Sequence, residues 1–311
     1  MIKRTLLASC IISASCSPPH PSSIADDFHN KVPETLLVKA PRPHAAGETT
    51  SKTTKRRQVT PSTAASEAHT SAQIQSPVQA TTPQNRLPLS YQSITTHGIT
   101  VSAVYYDDRE FDLQVADQPN GCGSLWLDAK SAGLSRNAIA AINAGFFTPE
   151  GKPLGLLVES GLRRGYINQS SLGSGIYAST PAGPSITRRD NNSSSQRINN
   201  ATQLLQAGPI LIEQGAASSG LSDQRNRPRS FIAWDGHHHW MMGHIETATL
   251  MGAAQALAKS ESLKFKPSIV LNLDGGRSSD LWAGPQVPGG NRSHRSFLNK
   301  AVRNYLLLTP R

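Results

Sequence analysis

The chain has 311 residues, a formal net charge of +10 and three cysteines. Its length would allow two domains, but two of the three cysteines lie among the first 16 residues, which excludes a disulfide framework for the rest of the chain. A basic chain is a candidate for binding nucleic acid. No recognised nucleic-acid-binding motif is present, so we predict no such partner.

The first 16 residues are typical of a bacterial export signal. Residues 1–4 are basic, and an apolar run with small residues continues to Ser15. This run is too short to cross a bilayer as a mature helix. The small residues before Cys16 suit a signal peptidase, although a lipoprotein signal usually has Leu where Ser13 stands. We predict an exported, periplasmic protein, and acylation of Cys16 as a lipoprotein anchor and simple cleavage stay open as alternatives.

Residues 17–90 are rich in Pro, Ser, Thr, Ala and Gln and poor in aromatic residues. No apolar period of 2 or 3.6 persists there, which predicts a disordered linker. Its basic residues include the cluster Lys55, Arg56 and Arg57. A basic linker is attracted to anionic membrane lipid or to an anionic envelope polymer. A purely solubilising linker is the alternative interpretation.

From residue 91 the composition changes to that of a folded domain. Residues 99–105 and 111–115 alternate between apolar and polar side chains, as half-buried strands do. Residues 124–141 predict a helix or loop that leads into a strand. Residues 187–200 are rich in Asn and Ser and predict a mobile surface insertion.

Two further elements have clear signals. Apolar strands on either side of Asp235-Gly236 predict a hairpin. Residues 249–259 carry Leu and Ala at three- and four-residue spacing, which predicts a helix. The many short strands and few helices predict a single α+β domain of mixed, mostly antiparallel β-sheet over residues 91–311.

Three apolar strands end in a polar residue that is soon followed by glycine. The polar residues are Asn143, Gln206 and Asp274, and the glycines are Gly145, Gly208, Gly275 and Gly276. Glycine next to a strand costs stability, so three cases indicate backbone that leaves room for a ligand. The Asp-Gly-Gly segment alone is equally consistent with an ordinary turn.

Four blocks in order resemble the phosphodiester glycosidase family, which includes the mannose-6-phosphate uncovering enzyme and many bacterial relatives. The blocks are NAGFF from residue 143 with PLGL from residue 153, QAGP from residue 206, the strand-opening Arg229, and NLDGGRSS from residue 272. The resemblance covers about residues 141–308. Ala144 and Ala207 stand where the family more often has Gly and Ser. The resemblance implies hydrolysis of a sugar-1-phosphodiester, and export suggests an envelope or exopolysaccharide substrate.

This chemistry needs a cation for the phosphate and a carboxylate that faces the anomeric carbon. A phosphodiester is a good leaving group, so a general acid with a raised pKa is less necessary. We predict Asp274 as the carboxylate, either as nucleophile or as base for water. Arg229, as a catalytic cation, and Arg277 are the candidates for the phosphate cation. Glu246 is a second candidate carboxylate, and the alternative is a helix N-terminal residue favoured by the helix dipole. The predicted substrate-binding residues are Asn143, Gly145, Gln206, Gly208, Asn272, Gly275, Gly276, Arg277 and Ser278. The three amides among them would hold sugar hydroxyls or orient the carboxylate, and a structural role is a further alternative for Asn272.

The remaining reactive side chains give weaker signals. His237, His238 and His239 are consecutive, and consecutive strand residues point in alternating directions, so we predict no metal site and no cofactor. Cys122 lies in a glycine-flanked loop with no His beside it, and we do not predict a nucleophile there. Two alternatives to the hydrolase stay open: a non-catalytic module that binds an anionic envelope glycan, and a metal-dependent hydrolase.

Overall fold

The computed structural model describes residues 85–192 and 194–311. The predicted export signal, Cys16 and most of the predicted linker lie outside the described residues. The folded unit begins at Asn85, ahead of the predicted start at residue 91. Leu87 is already buried, and its amide donates to Asp107 Oδ2 over 3.3 Å. None of the helices in the described part of the chain is long and apolar enough to cross a membrane.

The described residues form seventeen strands and three α-helices. The strands are β1 (Ser90–Thr96), β2 (Ile99–Asp107), β3 (Phe111–Asp117), β4 (Ala140–Asn143), β5 (Leu157–Glu159), β6 (Leu162–Arg164), β7 (Gly175–Thr180), β8 (Gly183–Arg188), β9 (Gln203–Ala207), β10 (Ile210–Glu213), β11 (Ala216–Ala217), β12 (Arg227–Trp234), β13 (His239–Ala248), β14 (Ile269–Asn272), β15 (Asp280–Ala283), β16 (Arg292–Arg295) and β17 (Asn304–Pro310). The helices are α1 (Ala129–Ser135), α2 (Ser194–Asn200) and α3 (Leu250–Lys259), and single 3₁₀ turns occur at Ser171–Gly173 and Gly276–Ser278.

The strands form three sheets in which the pairs are antiparallel. The first sheet has the order β1-β2-β13-β12-β14-β10-β11. The second has the order β16-β15-β4-β17-β3, and the third has the order β6-β5-β9-β7-β8. The prediction of mostly antiparallel sheet with few helices is therefore confirmed.

Each sheet has one face in a shared central core. That core contains Trp240 from the first sheet, Leu306 from the second and Tyr177 from the third. The opposite faces are covered separately, by α3 on the first sheet, α1 on the second and α2 on the third. Strands that are buried on both faces carry continuous apolar runs instead of alternating ones, which explains the sequence of β12 and β14.

Two predicted elements are present as expected. The hairpin at Asp235-Gly236 joins β12 to β13, and Gly236 has a φ of 94°, a conformation that glycine adopts without strain. The predicted helix is α3. It starts after Thr249, whose hydroxyl accepts a hydrogen bond from Gly252 N at 2.9 Å, as a helix N-cap does.

The segment 187–200 differs from the prediction of a mobile insertion. Strand β8 runs to Arg188, and α2 follows from Ser194. Arg197 Nη1 donates to Ser185 Oγ at 2.6 Å, and Ile198 packs on the outer face of the third sheet. One apolar residue in a polar segment is too weak a periodic signal to predict this helix.

A buried ion pair ties the second sheet to the loop that follows β4. Arg303 donates from Nε to Asp117 Oδ1 at 2.6 Å and from Nη2 to Oδ2 at 2.8 Å. Its Nη1 donates to the carbonyl of Gly151 at 2.7 Å. The Asp117 side chain has no exposed surface, and that of Arg303 is 7% exposed. Removing one partner would therefore leave a buried charge without compensation.

We expect Asp117→Asn to lower the free energy of unfolding by about 3–5 kcal/mol, because the Arg303 guanidinium loses its counter-charge. Urea unfolding followed by circular dichroism measures this loss. The matched control is Asp112→Asn, which breaks the solvent-exposed pair with Arg311 and is expected to cost about 1 kcal/mol or less. Equal losses in the two variants would contradict the assignment of a structural role to the buried pair.

Candidate active site

Ends of strands from the first and second sheets meet at one end of the molecule. Strands β4 and β14 end there, and β12, β15 and β17 begin there, at Asn143, Asn272, Arg227, Asp280 and Asn304. Backbone bonds hold the junction: Asp274 N donates to Ala144 O at 2.9 Å, and Leu273 N donates to Ser230 O at 2.8 Å. This junction brings together residues that are far apart in the sequence.

The buried amide of Asn143 is at the centre of the junction. Its Nδ2 donates to the carbonyl of Asp274 at 2.6 Å. Its Oδ1 accepts from Ser230 Oγ at 2.6 Å and from Asp280 N at 2.9 Å. Asn143 was predicted to hold sugar hydroxyls or to orient the carboxylate, and these bonds give it a positioning role for the backbone of Asp274.

Asp274 is the carboxylate that faces out of this junction. Its side chain keeps some access to solvent although protein atoms surround it closely. Burial raises the pKa of Asp274 to about 6, against the opposing effect of hydrogen bonds from the Ser278 side chain and the Gly275 amide. Within the described residues, no cation forms an ion pair with it. A carboxylate with this pKa is mostly ionised at neutral pH.

Two arginines at the start of β12 lie against the turn after Asp274. A Cβ atom on Gly275 would lie 3.0 Å from Pro228 O and 3.7 Å from Arg229 Nη1, and one on Gly276 would lie 3.7 Å from Arg227 Cδ. Gly275 therefore lets the turn approach the Pro228 carbonyl closely, whereas Gly276 has a φ of 63°, a left-handed conformation that glycine adopts without strain.

The half-buried Arg229 guanidinium has only carbonyl partners among the described residues. Its Nε donates to Ala248 O at 2.9 Å, and its Nη2 donates to Arg225 O at 2.8 Å. Burial lowers the pKa of Arg229, and the charge of Arg227 lowers it further. A partly desolvated guanidinium without a carboxylate partner suits an anionic ligand.

Gln206, a predicted substrate-binding residue, uses its whole side chain inside the protein. Its Oε1 accepts from Leu156 N at 3.0 Å and Asn168 N at 2.8 Å, and its Nε2 donates to Asn168 O and Gly173 O, both at 2.8 Å. These four bonds satisfy the amide completely. Gln206 therefore holds the adjoining loops together and has no free group for a ligand.

Asn272, Gly145 and Gly208 are likewise buried parts of the framework. Asn272 Nδ2 donates to Gly208 O at 2.9 Å and to Leu273 O at 2.7 Å. Gly145 N donates to Asn304 Oδ1 at 2.6 Å. A Cβ on Gly208 would lie 2.3 Å from Ser171 O, so that position requires glycine. These three residues were predicted to bind substrate, and in the structure they are buried parts of the backbone framework.

Of Ser278, Arg277 and Glu246, only Ser278 contacts Asp274 directly. Arg277 is exposed, and its Nε donates to Leu298 O at 2.8 Å. The Ser278 side chain hydrogen-bonds to Asp274. Glu246 is exposed within β13, close enough to His294 for its charge to raise the pKa of that imidazole. The alternative for Glu246, a helix N-terminal residue, is wrong because α3 begins later, after Thr249.

The consecutive histidines lie at the opposite end of the first sheet. His238 lies with Asp107 and Asp108, and one potential ligand atom from each falls within 4.8 Å of the others. Both carboxylates already have protein partners. Asp107 accepts from Arg109 Nε at 2.8 Å, and Asp108 accepts from Trp240 Nε1 at 3.0 Å. This cluster is a hydrogen-bond network that closes the far end of the hairpin.

Several residues of the site have no signal in the sequence. Ser230 and Arg227 flank the predicted Arg229, but neither has a distinctive motif. His294 lies in β16, a strand that was not predicted. The positions of these side chains depend on strand register, which one sequence does not reveal.

Comparisons with known proteins agree with this architecture. The model of the phosphodiester glycosidase family (NAGPA) matches residues 136–309. No sequence among the curated proteins matches the chain. The catalytic domain of zebrafish N-acetylglucosamine-1-phosphodiester alpha-N-acetylglucosaminidase, auto-inhibited by its pro-peptide, is similar in structure, with a TM-score of 0.53 and 16% identity over 72% of this chain and 83% of that one.

A hypothetical protein from Synechocystis is also similar, with a TM-score of 0.50 and 19% identity over 71% of this chain and 61% of that one. At these identities the two structures establish a shared fold, and the family match covers more than half of the sequence. The chain belongs to the phosphodiester glycosidase family.

Proposed function

We propose that this protein hydrolyses sugar-1-phosphodiesters, with Asp274 facing the anomeric carbon and Arg229 the phosphate. The observation that carries the proposal is the turn at Asp274. Among the described residues, no cation pairs with this carboxylate, and no carboxylate pairs with the Arg229 guanidinium that lies against the turn. Family membership supports the same reaction class.

The proposed reaction breaks the bond between the anomeric carbon and the phosphate oxygen. Either Asp274 attacks that carbon and water later releases the sugar, or Asp274 removes a proton from a water that attacks directly. The electron pair of the broken bond leaves with the phosphate, and water supplies the hydroxyl group of the free sugar. The other product is a phosphomonoester. Arg229 and Arg227 stabilise the negative charge that develops on the leaving group.

We expect Asp274→Asn to reduce the hydrolysis of UDP-GlcNAc, measured as free sugar released, on the order of 10³-fold or more. The amide neither attacks nor accepts a proton. The matched control Asp235→Asn changes a carboxylate at the distant hairpin and is expected to retain activity. Full activity in Asp274→Asn would refute the assignment. Binding of a sugar phosphodiester without turnover by the wild type would favour the non-catalytic glycan-binding module.

The raised pKa of Asp274 predicts a pH dependence. Both proposed roles need the ionised carboxylate, so kcat/KM should rise about tenfold per pH unit below pH 6 and level off above it.

The contribution of Asp274 to the free energy of unfolding should change in the opposite direction and fall as pH rises. The folded-state pKa of about 6 lies above the ordinary value of 3.8, so the contribution of this group to stability is full below pH 3.8 and is lost as pH rises through 6. Urea unfolding of wild type and Asp274→Asn should therefore diverge between pH 4 and 7, with the variant more stable at pH 7. In the kinetic measurement, a kcat/KM that falls as pH rises through 6 would make Asp274 a general acid instead.

The proposal includes export, on the basis of residues 1–16, and a substrate in the cell envelope or exopolysaccharide. In a bacterial host, the full-length chain should appear outside the cytoplasm as a form shortened by about 15 residues, and a chain without residues 1–16 should stay in the cytoplasm. Cell fractionation with mass spectrometry measures this. Cys16→Ser separates the two hypotheses for that residue, because only an acylated protein would change from the membrane to the soluble fraction. A full-length, unprocessed cytoplasmic chain would contradict export.

A further inference from the structure

His244 is a buried histidine whose imidazole has no hydrogen-bond partner among the described residues. It lies in β13 with 6% of its surface exposed, and its Nδ1 is buried without a partner. A buried polar group without a partner destabilises the fold, and a ligand can supply the missing partner. The proposed reaction, as derived above, does not use this side chain.

Two other aromatic side chains hold the imidazole in place. His294 stacks on His244 with ring centroids 5.4 Å apart and an angle of 26° between the planes. Tyr91 stacks on the other side of His294 at 5.8 Å, and its hydroxyl lies 2.6 Å from His294 Nε2. His294 therefore has a polar partner, whereas His244 at the end of this stack has none. The exposed Glu246 lies two residues from His244 on the same face of β13.

Strand register places His244 beside the catalytic junction. It lies directly opposite Ser230 in the antiparallel pair β12–β13, where Cβ atoms are about 4.5–5.5 Å apart. Ser230 Oγ donates to Asn143 Oδ1, and Asn143 Nδ2 donates to the Asp274 carbonyl. Arg229 and Ser230 are consecutive and point to opposite faces of β12. His244 and Arg229 thus border the junction from different sides.

The chemistry of the two sides differs. Arg229 carries a fixed charge and suits the phosphate. Burial, with a further contribution from the neighbouring His294, lowers the pKa of His244 to about 4, so its ring is neutral at pH 7. A neutral imidazole offers one N–H donor and one acceptor nitrogen, which match a hydroxyl group better than an anion.

We propose that His244 binds a hydroxyl group of the sugar ring and so forms part of the glycone subsite of the substrate. This inference rests on the proposed function for the nature of the ligand, and it names a residue that the motifs of the chain do not include. The stack of Tyr91 and His294 presets the orientation of the imidazole, which limits the entropy lost when a sugar binds.

The test compares His244→Leu with Arg229→Gln by calorimetric binding of two kinds of probe. One probe is inorganic phosphate, and the other is a series of α-linked sugar 1-phosphates: N-acetylglucosamine, glucose and mannose. His244→Leu should bind the preferred sugar phosphate at least tenfold more weakly and bind inorganic phosphate within twofold of wild type. Arg229→Gln should weaken the binding of both. His237→Leu, at the exposed hairpin tip, is the matched histidine control and should leave both affinities unchanged.

Thermal unfolding separates a ligand-binding role from a structural one. Because Leu removes an unsatisfied polar group and keeps most of the buried volume, His244→Leu should have a Tm equal to or above that of wild type. His244→Gln, which can still hydrogen-bond, should recover part of the lost sugar-phosphate affinity.

Three outcomes would overturn the inference: unchanged sugar-phosphate affinity in His244→Leu, an equal loss of phosphate affinity in that variant, or a wild type that binds phosphate and none of the sugar phosphates. Neither binding measurement depends on turnover. A wild type that binds sugar phosphate through His244 and hydrolyses no phosphodiester would therefore refute the proposed function and support the subsite.

Discussion

The geometry of the site depends on one buried amide. Asn143 joins the end of β4 to the turn after β14, to β12 through Ser230 and to β15 through the Asp280 amide. A buried amide must satisfy its donors and acceptors, so these elements can be arranged in few other ways. The position of the Asp274 backbone is therefore set by the packing of the first sheet on the second. The bonds to these buried elements therefore hold the turn in a fixed position.

Buried polar groups in this protein differ in how they are satisfied. Arg303 with Asp117 and the fully bonded Gln206 are satisfied within the chain, and they hold loops in place. Arg229 and Asp274 have neutral hydrogen-bond partners but no ion-pair partner among the described residues, and His244 Nδ1 is one of several buried polar atoms there without a partner. A charged group without a counter-charge destabilises the fold locally, which is expected where a ligand supplies the missing partner.

The sequence predicted the elements whose signals are local. The β12–β13 hairpin follows from Asp235-Gly236, and α3 follows from its apolar spacing. The strand-then-glycine pattern marks strand ends, of which Asn143 lies at the junction and Gln206 lies in the third sheet. The alternation of apolar and polar residues in a strand does not show which polar side chains face a ligand. Gln206 was therefore predicted to hold sugar hydroxyls or orient the carboxylate, although its side chain faces the interior. His244 and Ser230 meet only through pairing across the hairpin, which the sequence of each strand does not encode separately.

The two glycines after Asp274 have different physical reasons. Glycine next to a strand suggested room for a ligand, but a Cβ on Gly275 would lie 3.0 Å from Pro228 O, and Gly276 has a φ of 63°. The close approach at Gly275 places Arg229 against the turn, without an ion pair between Asp274 and Arg229 among the described residues. In the proposed reaction, positive charge develops at the anomeric carbon while negative charge develops on the departing phosphate. Charges of opposite sign that are fixed near each other and left unpaired complement that separation better than they complement the intact substrate, and this difference is what accelerates a reaction.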